Sequence, residues 1–444
     1  MKPTQTQFPL PGVPRAKQGR DVPSHWAWTE ASVWTERMLA TLERGVKGGK
    51  WYSLMDKVWK LENLQSALGK VVGNKGAAGV DGQSAQQYVR ESPQRLRQVQ
   101  AWLQAGDYQP KPVKRAWIPK LGSKELRPLG IPTVEDRIVQ GAVRHVIEPI
   151  FEHVFAEHSY GFRPGKGAKD ALRRVDQLLK AGKVWVVDAD LKGYFDSIPQ
   201  DRLMEAVAEH IADGTLLELI QRFLKQGVME SCKGWQPTEQ GTPQGAVISP
   251  LLANLYLNPL DHLMAQAGAD MVRYADDFVV RCASETEANE VLEQLPQWVG
   301  EAGLRLHPTK TRLVDARQSG GFDFLGYHFE RGKRWPRQKS LEKFKATIRL
   351  KTGRLRSGSM REIIDDVNRT LRGWFGYFKH SAKGTFPPLD KWVRGRLRTI
   401  ERKRHKLQGR ARGRDHQRWP NAYFTLLGLI SLASARSHVS RPPL

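Results

Sequence analysis

Two adjacent carboxylates interrupt an apolar, strand-forming run at Met271-Val272-Arg273-Tyr274-Ala275-Asp276-Asp277-Phe278-Val279-Val280, and no other stretch constrains the fold as tightly. Val272, Val279 and Val280 with Tyr274 and Phe278 favour extended backbone, so Ala275-Asp276-Asp277 reads as a tight turn between two short strands. Asp tolerates turn conformations, which is one sufficient reason for the pair. The other is that the turn holds both carboxylates out to Mg²⁺. Clustered carboxylates repel one another unless cations lie between them, and hard oxygen ligands suit Mg²⁺ carrying substrate phosphates. That second reading requires a third carboxylate from elsewhere in the chain.

A candidate stands at Val184-Trp185-Val186-Val187-Asp188-Ala189-Asp190-Leu191-Lys192-Gly193-Tyr194-Phe195-Asp196, where an apolar strand runs into two acids. Asp188 and Asp190 share a face because strand side chains alternate, and spacing alone does not choose between them. Phe195 follows five residues beyond Asp190, close enough in a turn to stand over the same site, and Asp196 is expected to cap a helix beginning near Gln200.

At 444 residues the chain is long enough for two or three domains. It lacks a run of eighteen apolar residues and a charged-then-apolar leader, so a soluble, non-secreted protein is expected. Cys232 and Cys282 are too few for a disulfide framework or a four-ligand zinc site. The net charge of +25 is unevenly spread: residues 1–330 carry 41 Lys and Arg against 39 Asp and Glu, residues 331–444 carry 30 against 7. A balanced body joined to a basic terminal segment suits an anionic polymer, since each neutralised phosphate releases counterions. Membrane-surface attachment is disfavoured because Trp374, Phe375, Tyr377, Phe378 and Trp392 are mixed among the basic residues with no lipid-anchor motif beside them.

Taken in order, residues 1–50 form a loose leader that becomes ordered near Trp26, Trp28 and Trp34. Leu54, Val58, Leu61, Leu64 and Leu68 fit one helical face, and the Gly-rich loop 74–82 precedes a helix over 84–104. The loop matches neither a Walker nor a dinucleotide spacing. Residues 112–132 read as a basic hairpin with Lys120 and Arg127 flanking its Gly-Ser turn, a point charge and a fork of the kind a triphosphate needs. A helix follows over 134–155, then the loop Ser159-Tyr160-Gly161-Phe162-Arg163-Pro164-Gly165. Gln240-Gly241-Thr242-Pro243-Gln244-Gly245 leads into a helix over 251–263; its glycines permit close backbone approach, and Gln244 offers donor and acceptor. After the acidic turn come a helix near 285–302, Gly303-Leu304-Arg305-Leu306-His307-Pro308-Thr309-Lys310-Thr311, and a strand pair around 322–327. Phe344, Ile348 and Leu355, then Ile363, Ile364, Val367 and Leu371, support two helices, with a third around Trp392, Leu397 and Ile400. The Arg- and Lys-rich 401–419 is expected to be extended or ordered only on a partner, while the apolar 419–432 docks back.

The order of these segments now matters more than any one of them. G-V-D-G, a hairpin ending R-P-L-G-I-P, S-Y-G-F-R-P-G, D-A-D-L-K-G-Y-F-D-S-I, Q-G-T-P-Q-G, Y-A-D-D, G-L-x-L-x-P-x-K-T and F-L-G-Y together resemble the reverse transcriptases, or maturases, encoded by bacterial and organellar group II introns, over roughly residues 70–400. The resemblance implies an α+β right-hand polymerase with fingers, an antiparallel palm and an α-helical thumb. It divides the chain into a partly disordered leader (1–50), fingers and palm (51–335), thumb or maturase domain (336–400) and a basic tail (401–444) with a DNA-binding remnant. It selects Asp190 over Asp188, with Asp276 and Asp277, as the catalytic carboxylates holding two Mg²⁺, and adds the Leu191 carbonyl as a ligand. Lys120, Arg127, Phe195, Gln244 and Gly245 fall to the deoxynucleotide, Phe195 as the gate against a 2′-hydroxyl, and Phe324, Leu325 and Gly326 to the grip on the primer end.

The partners so implied are an intron RNA template, a DNA primer or target and deoxynucleotides, with no membrane and an open oligomeric state. The setting is the bacterial cytoplasm, at the nucleoid during mobility. The chain ends without the paired-Cys endonuclease of many members, so its intron is expected to prime on nicked or single-stranded DNA. Two alternatives stand beside this reading: a related reverse transcriptase recruited to host defence or CRISPR adaptation, and a splicing-only maturase. Intact Asp190, Asp276, Asp277, Phe195 and Gln244 argue against the latter.

Overall fold

The computed structural model describes residues 24–119, 126–231, 233–308, 310–407 and 413–439. After a short 3-10 turn at Ser24–Trp26 come α1 (Glu36–Arg44), α2 (Met55–Val58), α3 (Leu61–Gly73) and α4 (Ala85–Ala105). The single helical face expected over Leu54–Leu68 is thus carried by two helices broken at Trp59-Lys60. Asn63 explains why the break is tolerated: its buried amide donates to the carbonyls of Lys57 and Ala142, at 2.9 and 3.1 Å, supplying a partner near the interrupted turn. α4 starts on a reciprocal Ser84–Gln87 capping box and stops at Gly106, whose φ of 76° a β-carbon would disfavour. The later part of the expected leader is built into the main core, where Trp34 is fully buried and donates its indole N–H to the His145 carbonyl at 2.9 Å.

β1 (Val113–Pro119) and β2 (Leu126–Ile131) form the expected antiparallel hairpin. Then come α5 (Val134–Val154), α6 (Ala168–Lys180), β3 (Trp185–Asp190), α7 (Tyr194–Ser197), α8 (Gln200–Ala208), α9 (Gly214–Lys225), β4 (Val228–Glu230) and β5 (Gly234–Gln236). The middle of the chain closes with α10 (Ser249–Gln266), β6 (Asp270–Tyr274), β7 (Asp277–Cys282), α11 (Glu285–Glu301), β8 (Arg312–Asp315), β9 (Phe322–Phe324), β10 (Tyr327–Glu330) and β11 (Lys333–Pro336).

Three sheets result, ordered β2-β1-β4-β5, β6-β7-β3-β8 and β11-β10-β9. In the second, every neighbouring pair is antiparallel. Alternation decides which side each residue serves. Val187, Ala189, Phe278 and Val280 face the large core with α10 and α11, while Val186, Val272 and Val279 face a smaller one with α6 and the aromatic side of β9–β10. There Phe322 and Phe329 stack at 5.0 Å between ring centres.

The basic segment is helical: α12 (Gln338–Lys351), α13 (Met360–Phe378), α14 (Phe386–Arg404), α15 (Gly413–Arg418), α16 (Asn421–Leu426) and α17 (Leu432–Ser437). Its own core joins Phe344, Ile348, Ile364, Val367, Leu371 and Leu397 to Trp419, Phe424 and Leu432, so the apolar end docks back as expected. Two expectations fail here. Leu355 is 83% exposed between α12 and α13 and supports neither helix. Within 401–419 the described residues are largely helical and anchored at two points, because Arg402 pairs with Asp415 at 2.6 Å and the guanidinium of Arg398, one turn earlier, donates to the Trp419 carbonyl at 2.9 Å. Among the described residues no helix is long and apolar enough to cross a membrane.

Candidate active site

The acidic turn sits between β6 and β7 with Ala275 at a φ of 60°, where the small side chain limits the cost of a left-handed backbone. Register places Asp190 directly opposite Asp277 across β3 and β7. Cross-strand partners hold their β-carbons about 5 Å apart on one face. Asp188 lies two residues back on that same face. The face opens into a cavity of about 600 Å³ lined by the acids Asp188, Asp190, Asp277 and Asp323 and the cations Lys310, Arg312, Arg337 and Lys339. Asp276, in the turn itself, is outside that lining but close enough to feel the Asp190 charge.

Electrostatics mark the buried carboxylates of the cluster as resisting ionisation. Burial foremost, then the charges of Asp276, Asp188 and Asp190, push the Asp277 carboxyl up to about 7, partly opposed by a backbone hydrogen bond from Leu325. Asp276 is pushed up by burial and by Asp190, with Arg127 and Arg273 pulling the other way. Burial raises Asp188 to about 6 although Arg312 stands 3.3 Å away. Lys310 forms an ion pair with Asp190. Among the described residues no group of three or more His, Cys, Asp or Glu side chains is already arranged as a metal cage. The donor set nevertheless fits divalent cations: all are hard oxygens, and carboxylates that resist ionising together are relieved by positive charge between them. The Leu191 carbonyl is compatible with this. Lys192 N–H donates to Arg305 O and His307 N–H to Asp190 O, at 2.8 and 2.7 Å. Leu191, bridged to Leu306 between these bonds, therefore turns its own carbonyl away from that strand, toward β7.

The other expected residues converge from several elements. Gly130 N–H donates to the Gln244 carbonyl at 2.7 Å, and a β-carbon on Gly245 would collide with the Gly130 carbonyl, so the Q-G-T-P-Q-G loop lies on the β2 strand. Arg127 extends from β2 with an exposed side chain, and its charge is felt at both Asp276 and Asp196. Phe195 is half-buried in α7, and its carbonyl accepts from Thr242 N–H at 2.7 Å. Lys120 lies outside the described residues. Phe324 is fully buried, while Leu325 and Gly326 form a positive-φ turn whose carbonyls are held by the Tyr377 hydroxyl at 2.7 Å and the Arg337 N–H at 2.9 Å. That turn joins Asp277 to the basic helices.

Asp196 is not a helix cap. α8 begins on Pro199 without a side-chain cap, whereas Asp196 accepts the Gln244 side-chain N–H at 2.8 Å. The partner lies 48 residues away, beyond the reach of a local reading. Arg273 also lacked a role in the sequence. Fully buried, it donates to Asp261 at 2.5–3.0 Å, to Asn254 at 2.9 Å and to the Ala275 carbonyl at 3.0 Å, bracing the acidic turn from behind. A charged residue inside each of two apolar runs, β6 and α10, was the available signal.

An antiparallel sheet carrying clustered carboxylates, a basic hairpin that holds the Gln244 loop and a basic helical unit tied to Asp277 through the 325–326 turn fit a nucleotide-polymerising class of fold. Residues 118–329 match the family "Reverse transcriptase (RNA-dependent DNA polymerase)", and residues 341–419 match "Group II intron, maturase-specific domain". The group II intron-encoded protein LtrA of Lactococcus lactis subsp. cremoris is 41% identical over 197 residues, 44% of this chain. That match spans 32%, about a third, of LtrA's own length. Protein YkfC of Escherichia coli K12 is 33% identical over 347 residues, covering 69% of this chain and 86% of YkfC. The chain belongs to the reverse transcriptase and maturase family encoded by group II introns.

Proposed function

We propose that the chain polymerises DNA on an RNA template and also binds its intron RNA, assisting splicing and supporting mobility by target-primed reverse transcription. One observation carries the polymerase reading: Asp190 faces Asp277 across β3 and β7 on the wall of a cavity also lined by cations, and Asp276 stands in the adjoining turn. Asp190, Asp276, Asp277 and the Leu191 carbonyl would hold two Mg²⁺. When bound, these supply positive charge for the attacking 3′-hydroxyl and the departing pyrophosphate. The rest is positioning. Arg127 and Lys120 orient the triphosphate, and Phe195 stands against a ribose 2′-hydroxyl. Gln244, its amide fixed by Asp196, and Gly245 shape the nucleotide pocket, and the Phe324-Leu325-Gly326 turn steadies the primer end. The partners are accordingly intron RNA, a DNA primer and deoxynucleotides, met in the cytoplasm and at the nucleoid.

Primer extension on an RNA template, with Mg²⁺ titrated, tests this. Asp276→Ala should lose on the order of 10³-fold in rate while keeping RNA affinity within about twofold. Retained extension by that variant removes the acidic turn from the reaction.

A further inference from the structure

A second cavity, of about 200 Å³, lies where α6, the β10–β11 hairpin and the end of α13 meet. It shares no lining residue with the carboxylate cavity. Tyr377 stands at the boundary: it lines this pocket while its hydroxyl donates to the Leu325 carbonyl beside Asp277. Lys169, Arg173, Arg334, Lys379 and His380 line it, with one acid, Asp176.

The charges do not balance. Asp176 is taken by Arg334 at 2.7 Å. Arg334 is fixed further by donating to the His380 carbonyl at 3.2 Å and by lying 5.6 Å from the centre of the Tyr327 ring. Arg173 has its own acid, Asp170, at 2.8 Å on the outer side of α6. Lys169 and Lys379 have no acidic partner among the described residues. The His380 ring registers the excess: burial, then Arg334, Lys379, Arg436 and Lys169, pull it down to about 4. Such a field suits an anion, and a volume below the roughly 300 Å³ at which drug-sized pockets begin suits one charged group better than a whole nucleotide.

We propose that this pocket seats a backbone phosphate of an RNA strand other than the one being copied, gripped by Lys169 and Lys379, with the Arg334–Asp176 pair as its fixed wall. The assignment to RNA rests on the proposed maturase role: Tyr377, Lys379 and His380 belong to the maturase-specific segment 341–419, and the pocket shares no lining residue with the cavity where template and primer would meet. A phosphate of duplex DNA has the same chemistry, so the experiment separates the two.

The full chain carrying Lys169→Ala with Lys379→Ala is compared with the wild type for binding a labelled single-stranded RNA and a labelled DNA duplex of equal length across a salt series. The RNA slope of log K against log salt should fall by about 0.7, the equivalent of one phosphate, with the DNA slope unchanged. Lys169→Arg with Lys379→Arg should restore it, which a purely structural role would not require, and extension of a short pre-annealed primer should stay within about twofold. An unchanged RNA slope in the folded Ala variant overturns the site. A fall confined to the duplex, or equal for both nucleic acids, overturns the RNA assignment. Because binding needs no turnover, an inert Asp276 would undo the polymerase reading without altering this readout.

Discussion

Acids are used in opposite ways by the carboxylate sheet and the basic helical unit. On β3 and β7, Asp188, Asp190 and Asp277 share one face around a cavity, and burial together with mutual repulsion raises Asp188 and Asp277. In residues 331–444 only 7 acids accompany 30 cations, and several of those acids are spent holding helices together. Asp390 accepts from the backbone N–H groups of Leu432 and Ala433 and from the Ser431 hydroxyl at 2.8–3.0 Å, which caps α17. Lys351, Arg356 and Arg369 converge on Asp366 and hold it well below the usual carboxylate range. Acids that are satisfied leave the remaining cations for a polyanion. Acids that are crowded and buried, Asp277 above all, leave a place for cations. The two regions are thus complementary: one suited to chemistry on phosphates, the other to holding the strand that bears them.

The comparison breaks most visibly if the crowding on the sheet is not structurally enforced. Asp261→Ala leaves Arg273 buried without its carboxylate, and breaking a buried pair from one side costs about 3 kcal/mol or more. We expect that loss in the denaturant midpoint, with extension falling as well because Arg273 holds the Ala275 carbonyl. A variant with wild-type stability would show that the acidic turn needs no brace from behind.

A smaller effect is expected from pH. Asp277, held near 7 when folded against about 4 for an exposed aspartate, keeps a proton in the folded state that the unfolded chain releases. The unfolded state binds fewer protons between about pH 4 and 7, so metal-free stability should decline as pH rises through that window. Mg²⁺ favours the ionised form and should therefore raise the melting temperature more at pH 8 than at pH 5. Asp277→Asn should flatten the metal-free decline. Equal Mg²⁺ protection at both pH values would mean that the ion binds elsewhere.

Much of this contrast was legible in the sequence, for a physical reason. Alternating apolar residues must face a core, so β3, β6 and β7 and the turn between the latter two follow from local pattern, as do α5, α10 and α11 to within a few residues at their ends. What escaped depends on partners far along the chain. Leu54 to Leu68 keep one periodicity through a real break, because both halves bury toward the same core and Asn63 bridges to α5. Asp196 has a cap's sequence neighbours but a partner at Gln244. Lys310 lies within the G-L-x-L-x-P-x-K-T motif, yet its pairing with Asp190 arises only when residues 305–307 align beside β3. The basic run near 400 concealed its inward-facing pair because sequence gives every Arg the same weight, whereas Arg402 has Asp415 and its neighbours project outward.

That last distinction gives the finest test of the contrast. Lys403 and Lys406 are exposed in and just after α14, one residue and four residues beyond the Arg402 that pairs inward. If the outer cations of this unit serve a polyanion, Lys403→Ala with Lys406→Ala should lower the salt slope of RNA binding by about 0.7 for each phosphate no longer neutralised, with no change in melting temperature. Arg402→Ala should do the reverse, lowering stability through Asp415 while leaving the slope within error of wild type. Exchange of those two signatures would mean that the inward pair, and not the outer cations, meets the nucleic acid, and the division of labour drawn between the two regions would fail at its basic end.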